Sequence, residues 1–205
     1  MRTRPKHDEG FTLIEVIIAV ALLLGVAVAL GAFAMQSLRL AAQQQRTQVA
    51  VTVATQRMDE VQRLTTSNAQ LATLVAGRSE TAVKTAWSAA SGVPGLAQTY
   101  PAWPVVSGGP PAIPIQQTTT RSGSAYASTV LIGTCYQPVA GGACTRISGA
   151  SNDPGAESTL AAGRSQMIRV IVVVTYPGAC DSGSTCRYTA SGLFDTRGDL
   201  KWRTE

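Results

Sequence analysis

The sequence predicts an α+β fold: a long N-terminal helix, with a membrane half and an amphipathic half, packed on an antiparallel β-sheet head. Three observations carry this. Val16 to Leu38 holds no charged residue, and no proline occurs between Pro5 and Pro94. Beyond residue 125, runs rich in β-branched and aromatic residues are bounded by Gly, Pro, Asn and Asp, the punctuation of strands.

The average composition hides this division. The 205 residues are 45% apolar and 14% charged, with a formal charge of +5, which on average reads as an ordinary globular chain. Nine of the ten prolines, however, lie after residue 75. His7 is the one histidine, leaving imidazole chemistry almost nothing to work with. The phosphate-binding glycine loops, the H-E-x-x-H zinc motif and the G-x-S-x-G nucleophile elbow are all missing. Neither an enzyme, nor a cofactor, nor a metal site is expected.

Arg2, Arg4 and Lys6 precede the apolar stretch, so the positive-inside rule orients the chain with its N-terminus in the cytoplasm and its head outside. Val16 to Met35 is 20 apolar residues, roughly 30 Å of helix and the thickness of a bilayer's hydrocarbon core. Ala32-Phe33-Ala34 fits a small-x-small cleavage site, which raises the alternative of a secretory signal peptide. A signal peptide has a shorter apolar core and no acid before it. Here Asp8, Glu9 and Glu15 lead into the run.

Phe11 to Leu64 contains two glycines, Gly25 and Gly31. Each disfavours a helix by about 1 kcal/mol relative to Ala, marking the places for a bend or local melting. A continuous helix over this stretch would be about 80 Å long. After Arg39 the pattern turns amphipathic. Val51, Ala54, Met58 and Val61 form the expected stripe facing the sheet, with Arg57, Asp59, Glu60 and Arg63 off it and Asp59 paired to Arg63.

Residues 77–124 hold six prolines with many Gly, Ser and Thr, which predicts a surface-running connection with a short helix around Glu80 to Ala90, pinned by Trp87 and Trp103. Strands are predicted at Ser128 to Tyr136, Met167 to Tyr176 and Arg187 to Phe194, with a short edge strand at Leu200 to Arg203. Ile168, Val170, Val172, Val174 and Tyr176 share the face turned to the helix, while Arg169 and Thr175 mark the other face as partly solvated. The four cysteines allow three pairings. The local one, Cys135 with Cys144 and Cys180 with Cys186, matches the hairpin tips that each pair brackets, and neither spacing suits zinc.

Arg197-Gly198-Asp199 reads as a tight turn, not a recognition tripeptide. The ten basic and seven acidic residues from residue 70 on form no block of like charge, so nucleic acid is the least expected partner.

Gly10-Phe11-Thr12-Leu13-Ile14-Glu15-Val16 resembles the prepilin signal of type IV pilins and the related pseudopilins: a short basic leader ending in Gly, an aromatic, Glu at the fifth mature position, then an unbroken apolar helix. The resemblance covers about the first 60 residues. It implies a pilin-like fold, cleavage between Gly10 and Phe11 by prepilin peptidase, N-methylation of Phe11, and assembly through Phe11 and Glu15. It divides the chain into a leader (1–10), a transmembrane and assembly helix (11–38), an amphipathic continuation (39–76), a connecting region (77–124) and a disulfide-bonded β head (125–205). The partners implied are prepilin peptidase, other pilin or pseudopilin subunits, an inner-membrane assembly platform and the lipid bilayer. The location implied is the cytoplasmic membrane, then an extracellular or periplasmic filament.

Within the family, Val51 to Leu64 is more similar to minor pilins of the PilV type and to minor pseudopilins than to major pilins. The bridge nearer the C-terminus resembles the disulfide loop of many pilins. The role implied is a minor pilin. The alternatives are a minor pseudopilin of a type II secretion system and a membrane-anchored adhesin that never polymerises. Thr12-Leu13-Ile14-Glu15 also matches a helix capping box, a purely structural reading of Glu15.

Overall fold

The computed structural model describes residues 12–67, 71–104, 108–147, 163–180 and 183–195. They fall into two compact units that divide between Gln45 and Arg46. Gly10 and Phe11, the tripeptide at Arg197 and the edge strand expected at Leu200 lie outside the described residues.

The first unit is the apolar part of helix α1 (Leu13–Ser67). Thr12 starts it: its carbonyl accepts from the amides of Glu15 and Val16 at 3.0 and 3.3 Å, and its Oγ1 accepts from the Glu15 amide at 3.4 Å. Within the apolar run, Ser37 returns its hydroxyl to the Phe33 carbonyl at 2.9 Å, so this polar group needs no outside partner.

The second unit begins with Arg46 in the same helix and continues through α2 (Leu71–Val75), α3 (Glu80–Ala89), β1 (Tyr100–Pro101), β2 (Gln116–Arg121), β3 (Ser124–Pro138), β4 (Arg164–Cys180) and β5 (Gly183–Asp195). The strands form an antiparallel sheet in the order β1-β3-β4-β5, with β2 paired to β3 on the same side as β1. β3 and β4 are the long central pair, in register from Ala127 opposite Thr175 to Pro138 opposite Arg164.

One face of the sheet carries the main core. Tyr126, Val130 and Ile132 of β3, and Ile168, Val170, Val172, Val174 and Tyr176 of β4, pack with Ala50, Val53, Ala54 and Val61 of α1. The period-2 reading of β4 is borne out on this face. Small alanines let the helix approach closely, and stacked Tyr126 and Tyr176, 5.8 Å between ring centres, fill one part of the layer. The Tyr176 hydroxyl and Thr47 Oγ1 share a hydrogen bond of 3.1 Å.

The helix stripe differs from the expected one. Val51 is exposed, and Arg57 lies inside at 6% exposure. Side chains tilt toward a helix's N-terminus, and spacings of 3 and 4 from Ala50 run through Val53, Ala54, Arg57 and Val61. The basic residue sits there because it has work inside: Arg57 bonds the Pro114 carbonyl at 2.7 Å and pairs with Glu60. Among the described residues, Arg57 with Glu60 is the ion pair of α1, and Asp59 and Arg63 do not pair.

On the opposite face Arg169 and Thr175 are half-buried, in line with the partial solvation expected there, but the rest of that face is covered. Leu131, Ile171 and Val173 pack against Ala86 of α3 and Ala90, Val93 and Leu96 beyond it, with Trp87 beside them. Burial on both faces explains why Ile168 to Val174 is nearly all aliphatic. Residues 77–124 are therefore a packed layer and not only a surface connection. Ser79 caps α3 through the Ala82 amide at 3.3 Å, which confirms the short helix expected there. After it, three successive turns close from Val93 to Ala90, Leu96 to Val93 and Thr99 to Leu96. Gly92 and Gly95 hold φ of +82° in the first two, and Pro94-Gly95 is the pair a type II turn requires. The repeat of three turns Ala90, Val93, Leu96 and Thr99 inward.

β2 also lies in the stretch expected to be a connection. Arg121 pairs with Ser124 across a two-residue turn, Ser122-Gly123, with φ of 49° and 73°. Positive φ at both positions is the hairpin turn that matches strand twist. The amphipathic helix expected through residue 76 ends at Ser67, and α2 supplies Leu71, Leu74 and Val75 to the core separately.

Candidate assembly surface

The surface that stands out is built from one helix. Sixteen large apolar side chains from Leu13 to Leu40 are between 49% and 78% exposed. An 18-residue window of the helix has a mean hydropathy of 2.9, and the helix is long and apolar enough to cross a membrane. Burying one such side chain is worth about 1.5–3 kcal/mol. Left in water, the set would forgo tens of kcal/mol, more than the roughly 5–15 kcal/mol that holds a domain folded. This surface calls for an apolar environment that the described residues do not supply.

Glu15 is exposed in the first turn of α1. Thr12 supplies its half of a capping box, but the Glu15 carboxylate makes no hydrogen bond or ion pair among the described residues. Its one favourable term within the helix is the positive N-terminal end of the dipole, worth roughly 0.3–1 kcal/mol. A carboxylate placed in hydrocarbon is disfavoured by about 2.5–3.5 kcal/mol on insertion scales. Glu15 thus stands without a charged partner among the described residues at the start of an apolar surface.

The head is braced by groups of two kinds. Disulfides join Cys135 to Cys144 and Cys180 to Cys186, each with 5.4 Å between Cα atoms, in the local pairing expected. The first folds the chain after β3 back onto it, where Tyr136 and Thr145 form a bridge; the second staples the β4-β5 hairpin.

Arginines do the rest, a role with no local signal along the chain. Arg78, 2% exposed, donates from Nε to Ile113 O at 3.0 Å and from Nη1 to Val130 O at 3.1 Å. Burial, with Arg57 nearby, lowers its pKa to about 10 against the opposing pull of Glu60. Arg169 donates to the carbonyls of Gly95 and Cys144 at 2.8 and 2.9 Å and to Thr99 Oγ1 at 3.1 Å, and burial pushes its pKa down as well. Arg146 bonds the Thr99 carbonyl through Nε at 2.9 Å and lies 5.0 Å over the Tyr100 ring. Lys84 pairs with Glu80 at 2.6 Å and lies 5.3 Å over Trp103, which ties that tryptophan to α3.

Among the described residues, no group of three or more His, Cys, Asp or Glu could hold a metal ion. No family model, characterised protein or solved structure matches the chain.

Proposed function

We propose that the chain is a minor structural subunit of a type IV pilus, without catalytic activity. In this reading prepilin peptidase cuts after Gly10, Phe11 is N-methylated, and the apolar part of α1 holds the protein in the cytoplasmic membrane until an assembly platform packs it among other pilin subunits. One observation carries the reading: α1 exposes a continuous apolar surface with a single unpartnered carboxylate, Glu15, at its start. Lipid and a bundle of like helices both satisfy such a surface. Transfer from one to the other exchanges apolar environments, so the association is decided by packing and by polar contacts. An α-amino group exposed at Phe11 would stand one helical turn from Glu15 and supply the cation that the acid lacks, from the neighbouring subunit. The signal Gly10-Phe11-Thr12-Leu13-Ile14-Glu15 supports the processing step.

The test is to shear cells and measure the protein in the extracellular filament fraction, with intact mass read on the same sample. The expected chain begins at Phe11, one methyl group heavier than its sequence, and leaves with filaments in trace amount relative to the dominant subunit. Retention of all of the processed protein in the membrane would replace the pilus by a secretion pseudopilus or a plain anchor. A mature N-terminus at Met35 would replace all three by secretion.

A further inference from the structure

We infer that the cleft between α3 and the loop after the first disulfide is a binding site for a sugar that carries a carboxylate, a uronic acid residue of an acidic glycan. The cleft has a volume of about 480 Å³ and is lined by Trp87, the turns from Ser91 to Gln98, and Arg146. That volume lies within the range of small-ligand sites, roughly 300–1,000 Å³.

Charge identifies the anion. Arg146 and Arg169 both bond Thr99, one at its carbonyl and the other at its hydroxyl, so two guanidinium groups converge on one residue. Among the described residues, the acceptors they use are backbone carbonyls and that hydroxyl. Among the described residues neither has a carboxylate partner. Arg146 is exposed and spends Nε and Nη2 on Thr99, which leaves Nη1 to face a ligand. An arginine held in place by other contacts is preorganised for a carboxylate, because less freedom is lost on binding.

The remaining lining identifies the sugar. Trp87 offers an apolar ring held from behind: a Cβ at Gly133 would come within 3.0 Å of its Cη2. Ser91 and Gln98 are exposed beside it and can address hydroxyl groups. An apolar ring face, hydroxyl-seeking groups and a guanidinium with no carboxylate partner among the described residues together fit a pyranose with a carboxylate. They do not fit a bare inorganic anion, for which the indole has no use. The turns fix this geometry, since Pro94-Gly95 leaves little freedom at the cleft floor.

The inference is independent of the assembly reading and is tested on the full chain in neutral detergent, by calorimetry or saturation-transfer NMR. Glucuronate, glucose and inorganic phosphate are titrated separately. Glucuronate is expected to bind about tenfold or more tightly than either of the others. Arg146→Gln should weaken glucuronate about tenfold and leave glucose unchanged, and Gln98→Ala should weaken both sugars severalfold. If Arg146→Gln does not fold, salt replaces it: glucuronate affinity must fall with added sodium chloride while glucose affinity holds. Equal binding of phosphate would reduce the cleft to a general anion site and overturn the proposal. It is equally overturned by equal binding of glucose, by no glucuronate binding at millimolar concentration, or by unchanged glucuronate affinity in Arg146→Gln.

Discussion

At Glu15, two roles make opposite forecasts for one substitution. Glu15→Val removes a charge from an apolar surface, so membrane insertion should be unharmed or slightly easier. If the acid served only the helix start, the loss would be about 1 kcal/mol at one end and incorporation into filaments would survive. If it neutralises a neighbour's ammonium, that cation is left unpaired away from water, which is disfavoured by several kcal/mol. Incorporation should then collapse while cleavage after Gly10 continues; quantifying processed protein in sheared filaments decides. Glu60 is the comparable residue in the head, the one carboxylate among the described residues beside the buried Arg57 and Arg78. Its side chain is 40% exposed, so Glu60→Gln should lose about 1–2 kcal/mol, less than a fully buried pair. Asp59→Asn, one position away and exposed, should stay within about 0.5 kcal/mol. Denaturant midpoints of the two variants measure the contrast. Arg78 itself is a buried base with a lowered pKa, so the folded chain holds its proton less tightly than the unfolded chain. The cost is present in full below about pH 10 and is relieved as pH rises above it toward the ordinary value. Stability near neutral pH should therefore show no slope from this group.

Two elements have geometry that a single change would break. β1 crosses β3 at Gly133, opposite Pro101, where a Cβ would run into the Tyr100 carbonyl and lie 2.7 Å from Thr99 Cγ2. Gly133→Ala must push β1 away or shift Trp87, an overpacking penalty of about 1–3 kcal/mol, to be read as a lower thermal midpoint. The disulfides act at opposite ends of β4: Cys135 pairs in register with Met167, whereas Cys180 is the last residue of β4. With loops of 9 and 6 residues, each should contribute roughly 2–3 kcal/mol by the chain-entropy account. Because the sites are far apart along the strand, replacing both pairs by serine should give the sum of the two losses. A combined loss well below the sum would mean that the bridges share a cooperative segment.

Over the whole molecule, the two units differ in what they bury. The head from Arg46 on buries its own apolar surface in two layers, one on each side of the sheet. The apolar stretch of α1 buries none of its own. The protein outside filaments should consequently stay with membranes after an alkaline carbonate wash and be released by detergent, and reduction of the disulfides should not release it. Release by carbonate alone would show that the apolar surface is covered by protein and not by lipid.

Several features were fixed by composition and order along the chain. Val16 to Leu38 lacks any charge and any proline, so a long apolar helix follows from the run itself; that its side chains stand exposed is seen only in the structure. The alternation in Ile168 to Tyr176 and the spacing of the cysteines were equally local, because strand faces and short loops depend on neighbours in sequence. Other features depended on what lies across space. Arg57 looked solvated because charged residues usually are, and it is buried because carbonyls from the 110–115 segment need donors at that depth. β2 was hidden in a Thr- and Gln-rich stretch whose strand character comes from pairing with β3; the Ser122-Gly123 turn was its one local signal. The 77–124 layer and the contacts of Arg169 with Gly95 and Thr99 bring together residues up to 74 positions apart. Local propensity extends over a few residues, whereas counter-charge, burial and donor supply are properties of a location, and only the folded chain assigns locations.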